Sequence, residues 1–156
     1  MPPTTAKRVA EYIIWFSQEH GDPISNLKLQ KLLYYAQAWY LALYDEPLFS
    51  ERIEAWVRGP VVPPIYGDYK SYSWNPIQET PDKPVLPPEV EAHLKEVMEV
   101  YGGLTALHLE QLTHKEDPWN FAREGLPPDE PSNNVIPLEA MKTYYRKMAE
   151  SEDKSK

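Results

Sequence analysis

Histidine is the side chain most often found doing proton or metal chemistry near neutral pH, and this chain has four: His20, His93, His108 and His114. The spacing His108-x-Glu110-x-x-x-His114 puts Glu110 and His114 four residues apart, on one face of a helix. Two such groups can ligate a metal, but the pattern is not H-E-x-x-H and a third ligand is not evident. The alternative for the same residues is a surface carboxylate and an imidazole near a helix end, bonding a carbonyl. No G-x-S-x-G elbow is present, and Gly102-Gly103 is no phosphate loop. The chain has no cysteine. Thiolate zinc sites, cysteine nucleophiles, iron–sulfur clusters and disulfides are thereby excluded. Of the 24 carboxylates none is set apart by an apolar neighbourhood. The residues alone therefore nominate no catalytic group, no metal set and no cofactor.

Two further groupings can bind rather than react. Lys28 and Lys31 stand beside Tyr34 and Tyr35, which is either a stacking-plus-phosphate surface or, as read here, core tyrosines next to two lysines. Tyr66, Tyr69, Tyr72 and Trp74 crowd one short segment ahead of a loop. That density is either core or a protein-binding patch, since Tyr and Trp are enriched in binding hot spots.

The elements that must position these residues are marked out by proline. The chain has 17 prolines in 156 residues, about twice the average usage of roughly 5%. None falls in residues 4–22, 24–46, 89–117 or 138–156. Those windows are the predicted helices, because proline is excluded from helix interiors and accepted at their starts. Thr4 or Thr5 caps the first, which Gly21 closes. Ser25 or Asn26 caps the second, whose Leu29, Leu32, Leu33, Ala36, Tyr40 and Leu43 recur at helical spacing. That helix is apolar almost all round, so it is expected at the centre of the fold. Residues 53–57 alternate as a short strand, broken by Gly59-Pro60. Pro63-Pro64 opens a short helix through Tyr72. Residues 74–88 form a long loop. Thr105 caps a helix, with Leu104 and Leu109 as a hydrophobic staple. Asp117-Pro118 is cap and first position of another helix, ending at Gly125. Residues 126–134 are a second proline-rich loop, Val135-Ile136 a possible strand pair. The last helix turns Leu138, Met141, Tyr145 and Met148 inward. The predicted fold is mainly α: one compact domain over residues 1–150, about six or seven helices with a small antiparallel β element, and a frayed tail at 151–156.

The charge is −8, the pI about 5.0 and the mean hydropathy −0.60. A general polyanion binder needs clustered Lys and Arg, so nucleic acid is not an expected partner; a basic protein is. No uncharged apolar run reaches the ~18 residues of a membrane span. No secretory h-region follows the first residues. A soluble cytoplasmic domain is expected.

The run Leu27-Lys28-Leu29-Gln30-Lys31-Leu32-Leu33-Tyr34-Tyr35-Ala36-Gln37-Ala38-Trp39-Tyr40 resembles the signature of the phage-associated GepA and SocA-like family, the antitoxin module also called the Panacea domain. A second block, from Pro47-Leu48-Phe49 through Ile53-Glu54-Ala55-Trp56-Val57-Arg58-Gly59-Pro60-Val61-Val62-Pro63 to Tyr66, is similar too. Leu112-Thr113-His114-Lys115-Glu116-Asp117-Pro118-Trp119 is the third, and residues 136–145 look like the family's last helix. The resemblance runs over almost the whole chain in the right order. It implies a small cytoplasmic bacterial or prophage antitoxin that neutralises a co-encoded toxin without being an enzyme. Some members of the family act as adaptors to a ClpXP-type protease; others block by direct binding. Homo-oligomers are compatible with it. Relatives often carry a DNA-binding domain, for which this chain leaves no room. The competing expectation is a small metal-dependent hydrolase acting on a toxin product, with His108, Glu110 and His114 as ligands.

The motif residues are read as structural. Gly59 supplies a backbone conformation closed to other residues and Pro60 stiffens it. Trp39, Trp56 and Trp119 are core. Lys28, Gln30, Lys31 and Gln37 are expected to hold the Gly59-Pro60 turn by its carbonyls, the alternative being that they line a toxin-facing groove. Tyr34, Tyr35, Val61, Thr113, His114 and Pro118 complete the motif set. Toxin contacts are expected outside it, at Tyr66, Tyr69, Tyr72 and Trp74 and in the loops 71–88 and 126–134.

Overall fold

The structure is a computed structural model that describes residues 2–154. Helix α1 (Ala6–Glu19) starts at Thr5, whose hydroxyl accepts the Arg8 N–H at 3.2 Å. The chain leaves it through Gly21 in the left-handed region, φ +69°. Helix α2 (Asn26–Tyr44) starts at Ser25, whose hydroxyl accepts the Lys28 N–H, and stops where Asp45 turns left-handed. Almost all of α2 is buried, and it packs against α1 and most of the later elements, most extensively α7 (Leu138–Lys154). Its apolar circumference thus places it at the centre, as its sequence requires.

After α2 the chain forms a hairpin. Strands β1 (Glu54–Trp56) and β2 (Gly59–Val61) pair antiparallel with Trp56 opposite Gly59, leaving Val57 and Arg58 as the turn. Gly59-Pro60 therefore does not break the strand; it is the start of the second one. Proline is tolerated there because β2 is an edge, where a missing N–H costs no ladder bond. The other edge of β1 meets residues 134–136: the Ala55 N–H bonds the Asn134 carbonyl and the Ile136 N–H bonds the Ile53 carbonyl, both at 2.8 Å.

Helix α3 (Pro63–Tyr69) runs into a 3₁₀ turn at Lys70–Tyr72. The proline-rich stretch that follows has no helix but is fastened. Ile77 and Leu86 are buried, the Ile77 N–H bonds the Ile24 carbonyl, and the Gln18 amide donates to the carbonyls of Ile77 and Glu79. Helices α4 (Pro88–Tyr101), α5 (Ala106–Lys115) and α6 (Asp117–Ala122) complete the molecule with α7. Thr105 caps α5 by accepting the His108 N–H.

Two expectations are corrected. Asp117 is not the cap of α6 but its first residue; Glu116 holds the cap position with extended backbone and makes no capping bond, because its carboxylate points into the core. Leu138 is 45% exposed although Met141 and Tyr145 on the same stripe are fully buried. The stripe begins one turn before the helix reaches its neighbours. Residues 155 and 156 of the tail lie outside the described residues. Around α2 the buried side chains form one continuous core. Among the described residues there are seven α-helices and a two-stranded antiparallel sheet, a mainly α domain.

Candidate functional site

The polar side chains on α2 each hold a different stretch of chain. Gln37 accepts the Leu48 N–H at 2.6 Å and donates to the Phe49 carbonyl at 2.8 Å. Gln30 accepts the Val62 N–H at 2.9 Å and donates to Asn26, whose own amide donates to the Tyr66 carbonyl at 3.1 Å. The Lys28 ammonium donates to the Gly102 carbonyl at 2.6 Å, with Asp22 at 3.9 Å. These bonds satisfy backbone groups that have no strand or helix partner. None of them reaches a carbonyl of Gly59 or Pro60, contrary to the expectation. A primary amide accepts as readily as it donates, and Gln30 uses its oxygen on Val62, just past β2.

Lys31 meets the turn in another way. It is fully buried and its ammonium nitrogen has no hydrogen-bond partner among the described residues. Its stem lies where a Cβ on Gly59 would stand, 2.8 Å from the Lys31 Cε and 3.3 Å from the Thr113 hydroxyl. Gly59 is also at φ +115°, a conformation that side chains disfavour. Burial pulls the Lys31 amine from 10.5 down to about 7, with Glu110 opposing and Arg58 adding to the fall. Above it, Arg58 pairs with Glu110 at 3.1 Å and lies over the Trp74 ring at 5.1 Å. The Thr113 hydroxyl donates to the Glu110 carbonyl.

His114 stacks on Trp119, rings 4.0 Å apart and 17° from parallel. Burial holds its pKa below the ordinary value; Glu110 opposes this, Lys31 reinforces it and the Val57 backbone opposes it. The helix-end carbonyl foreseen as its partner is taken instead: the Asn120 amide donates to the carbonyls of His114 and Glu116. His114 thus meets the hairpin turn, not the end of its own helix.

A third cluster was not foreseen. Tyr35 and Tyr145 both donate to one oxygen of the buried Glu116, at 2.6 and 2.9 Å, and the Tyr34 and Tyr145 hydroxyls lie 3.0 Å apart. Burial raises the Glu116 carboxyl, and the two phenol bonds pull it back. Arg123, 2% exposed, donates to the carbonyls of Ala55, Pro127 and Glu130 and lies over the Trp119 ring. Its position just before a left-handed turn at Glu124 and Gly125 was the available signal, since cations suit helix C-termini. Trp119 and Pro118 are buried, and the Trp119 indole donates to the Trp56 carbonyl at 2.8 Å. Trp56 and Trp39 are half-buried rather than core; Trp56 crosses the Tyr66 ring edge-on and bonds Glu54. Val61 and Pro60 are buried in β2.

The aromatic patch divides. Tyr69 is core, 2% exposed, and its hydroxyl accepts from Lys7. Tyr66 and Tyr72 are half-buried, and Trp74 is 73% exposed. A tyrosine three residues after Tyr66 shares its helix face but sits deeper in the fold, so sequence density did not separate core from surface. Among the proposed metal ligands, His108 is exposed, Glu110 is engaged by Arg58 and His114 is stacked. Among the described residues no three His, Asp or Glu stand together as a metal set, and no helix is long and apolar enough to cross a membrane.

Residues 29–120, which contain most of α2, the hairpin and the Thr113–Trp119 cluster, match the family model described as Antitoxin SocA-like, Panacea domain. The chain is 30% identical over 148 residues to Antitoxin SocA of Caulobacter vibrioides (strain NA1000 / CB15N), covering 80% of this chain and 77% of that relative. No solved structure matches it. The chain therefore belongs to the SocA-like Panacea antitoxin family.

Proposed function

We propose that this chain neutralises a co-encoded protein toxin by binding it directly. The observation that carries the reading is the family match, supported by 30% identity to an antitoxin over most of the chain. The placement of the motif residues supports a binding role. Gln30, Gln37, Tyr35, Thr113 and Trp119 are buried and bonded within the chain, which leaves the contact to residues outside the motif. Trp74 is the exposed member of the foreseen patch, held in place by Arg58. Exposed tryptophan is among the residue types that most often anchor interfaces.

The test is co-elution on size-exclusion chromatography with the protein encoded by the adjacent reading frame. A complex is expected at moderate salt. Trp74→Ala is expected to leave melting nearly unchanged, because an exposed cation–π contact contributes about 0.5–1 kcal/mol, and to weaken the complex. No complex with a toxic neighbouring product would remove the reading.

A further inference from the structure

Helices α4 and α7 both pack on α2 but make no extensive contact with each other. Between them lies an open groove of about 360 Å³. Its floor is Trp39 and Leu43 of α2, one wall is Val97 and Val100 of α4, and the other includes Ala149 of α7. Leu43 is 53% and Val100 60% exposed, and the adjoining Tyr44 is 49% exposed. These apolar groups stand together, whereas singly scattered ones would need no explanation.

The charge around the groove is uneven. On the α7 side Lys142 and Arg146 both pair with Asp45, and Arg146 also bonds the Ala42 carbonyl. On the α4 side Glu91 pairs with Lys83, but Glu89 and Glu96 do not pair among the described residues. Glu46 and Glu89 act together on the Tyr40 hydroxyl, and Glu96 acts on His93, whose ring packs on Tyr40 and Tyr44. None of Glu46, Glu89 and Glu96 is in an ion pair among the described residues. The walls are helices, whose backbone bonds are already made. They offer an occupant side-chain contacts only, so it must satisfy its own backbone, which a helix does. The acidic wall from Glu89 to Val100 is about 17 Å long at 1.5 Å per residue, some three helical turns.

We propose that this groove receives an amphipathic helix of the toxin, its apolar stripe on Leu43, Val97 and Val100 and its Lys or Arg side chains over Glu46, Glu89 and Glu96. The proposal rests on the antitoxin reading and gives the toxin a second contact, at the other end of α2 from Trp74.

The experiment uses the full chain and the protein encoded by the adjacent reading frame. Leu43→Asp and Val100→Asp are expected to melt as the parent does and to bind at least about tenfold more weakly, the loss typical of an interface anchor. Glu96→Lys is expected to slow association and flatten its salt dependence. Leu107→Asp on α5, equally exposed, is the control that should bind normally. Because the chain has no cysteine, Val100→Cys can carry a single photo-crosslinker. It should capture a toxin helix with Lys or Arg beside its apolar stripe, and Leu107→Cys should not. Parent binding with unaltered affinity of both Asp variants would overturn the groove and leave the antitoxin reading standing. Capture of an acidic or extended toxin segment at Val100 would do the same. Failure of the parent chain to bind a toxic neighbouring product would remove both.

Discussion

A lysine with no hydrogen-bond partner inside a helical core is costly in its charged form, and Lys31 responds by titrating at about 7. Between that value and 10.5 the unfolded chain binds a proton that the folded chain does not. Stability therefore rises with pH across this window. The test is a urea series from pH 7 to 9, below the range where unfolded tyrosines ionise. That limit matters because buried Tyr34, Tyr35 and Tyr145 have raised pKa values, so their contribution is lost as pH rises past about 10. Lys31→Met should flatten the rise and be more stable than the parent at pH 7; parallel curves would contradict the account. Tryptophan burial gives a second residue-scale expectation. Trp119→Ala should cost about 3–5 kcal/mol, the range for a buried ring. Trp56→Ala should cost less, because that ring is half in water. The order of the two melting temperatures checks this.

At the scale of elements, the hairpin shows why one part of the fold was hidden in the sequence and others were legible. Helices α1, α2, α4, α5 and α7 could be read because apolar period, capping hydroxyls and proline-free windows agree. Strand β2 could not, since Gly-Pro has the local chemistry of a turn and only the pairing with β1 makes it a strand. The same limit applies to the site. Trp119 is buried as a core ring was expected to be, and His114 stacks on it. Long-range partners were not: Gln30 to Val62, Glu116 to Tyr35 and Arg123 to Ala55 depend on how elements pack, and spacing carries no record of that. Gly59 tests the hairpin directly. Gly59→Ala should destabilise by about 1–3 kcal/mol, the cost of a side chain in a disfavoured conformation, with steric conflict against Lys31 added. In a double-mutant cycle with Lys31→Ala the steric part should be recovered and the conformational part should remain. Full additivity would mean that Lys31 and Gly59 do not press on one another.

Over the whole molecule, one central helix is fastened to its surroundings by bonds from residues of the motif, and exposed apolar groups, among them Trp74, Leu43 and Val100, lie outside it. A domain arranged this way can keep its framework while its contact surface changes. The net charge of −8 adds a kinetic expectation. Association with a basic toxin should accelerate as salt is lowered, because long-range attraction is screened within a Debye length of about 10 Å at 0.1 M. An association rate indifferent to salt would mean that the acidic surface does not steer. The most direct measurement of the central claim is growth of cells in which the adjacent reading frame is induced alone or together with this chain. The account predicts arrest with the first and growth with the second, with protection reduced by Trp74→Ala and by Val100→Asp. Persistent arrest in cells where the chain is folded and abundant would contradict it.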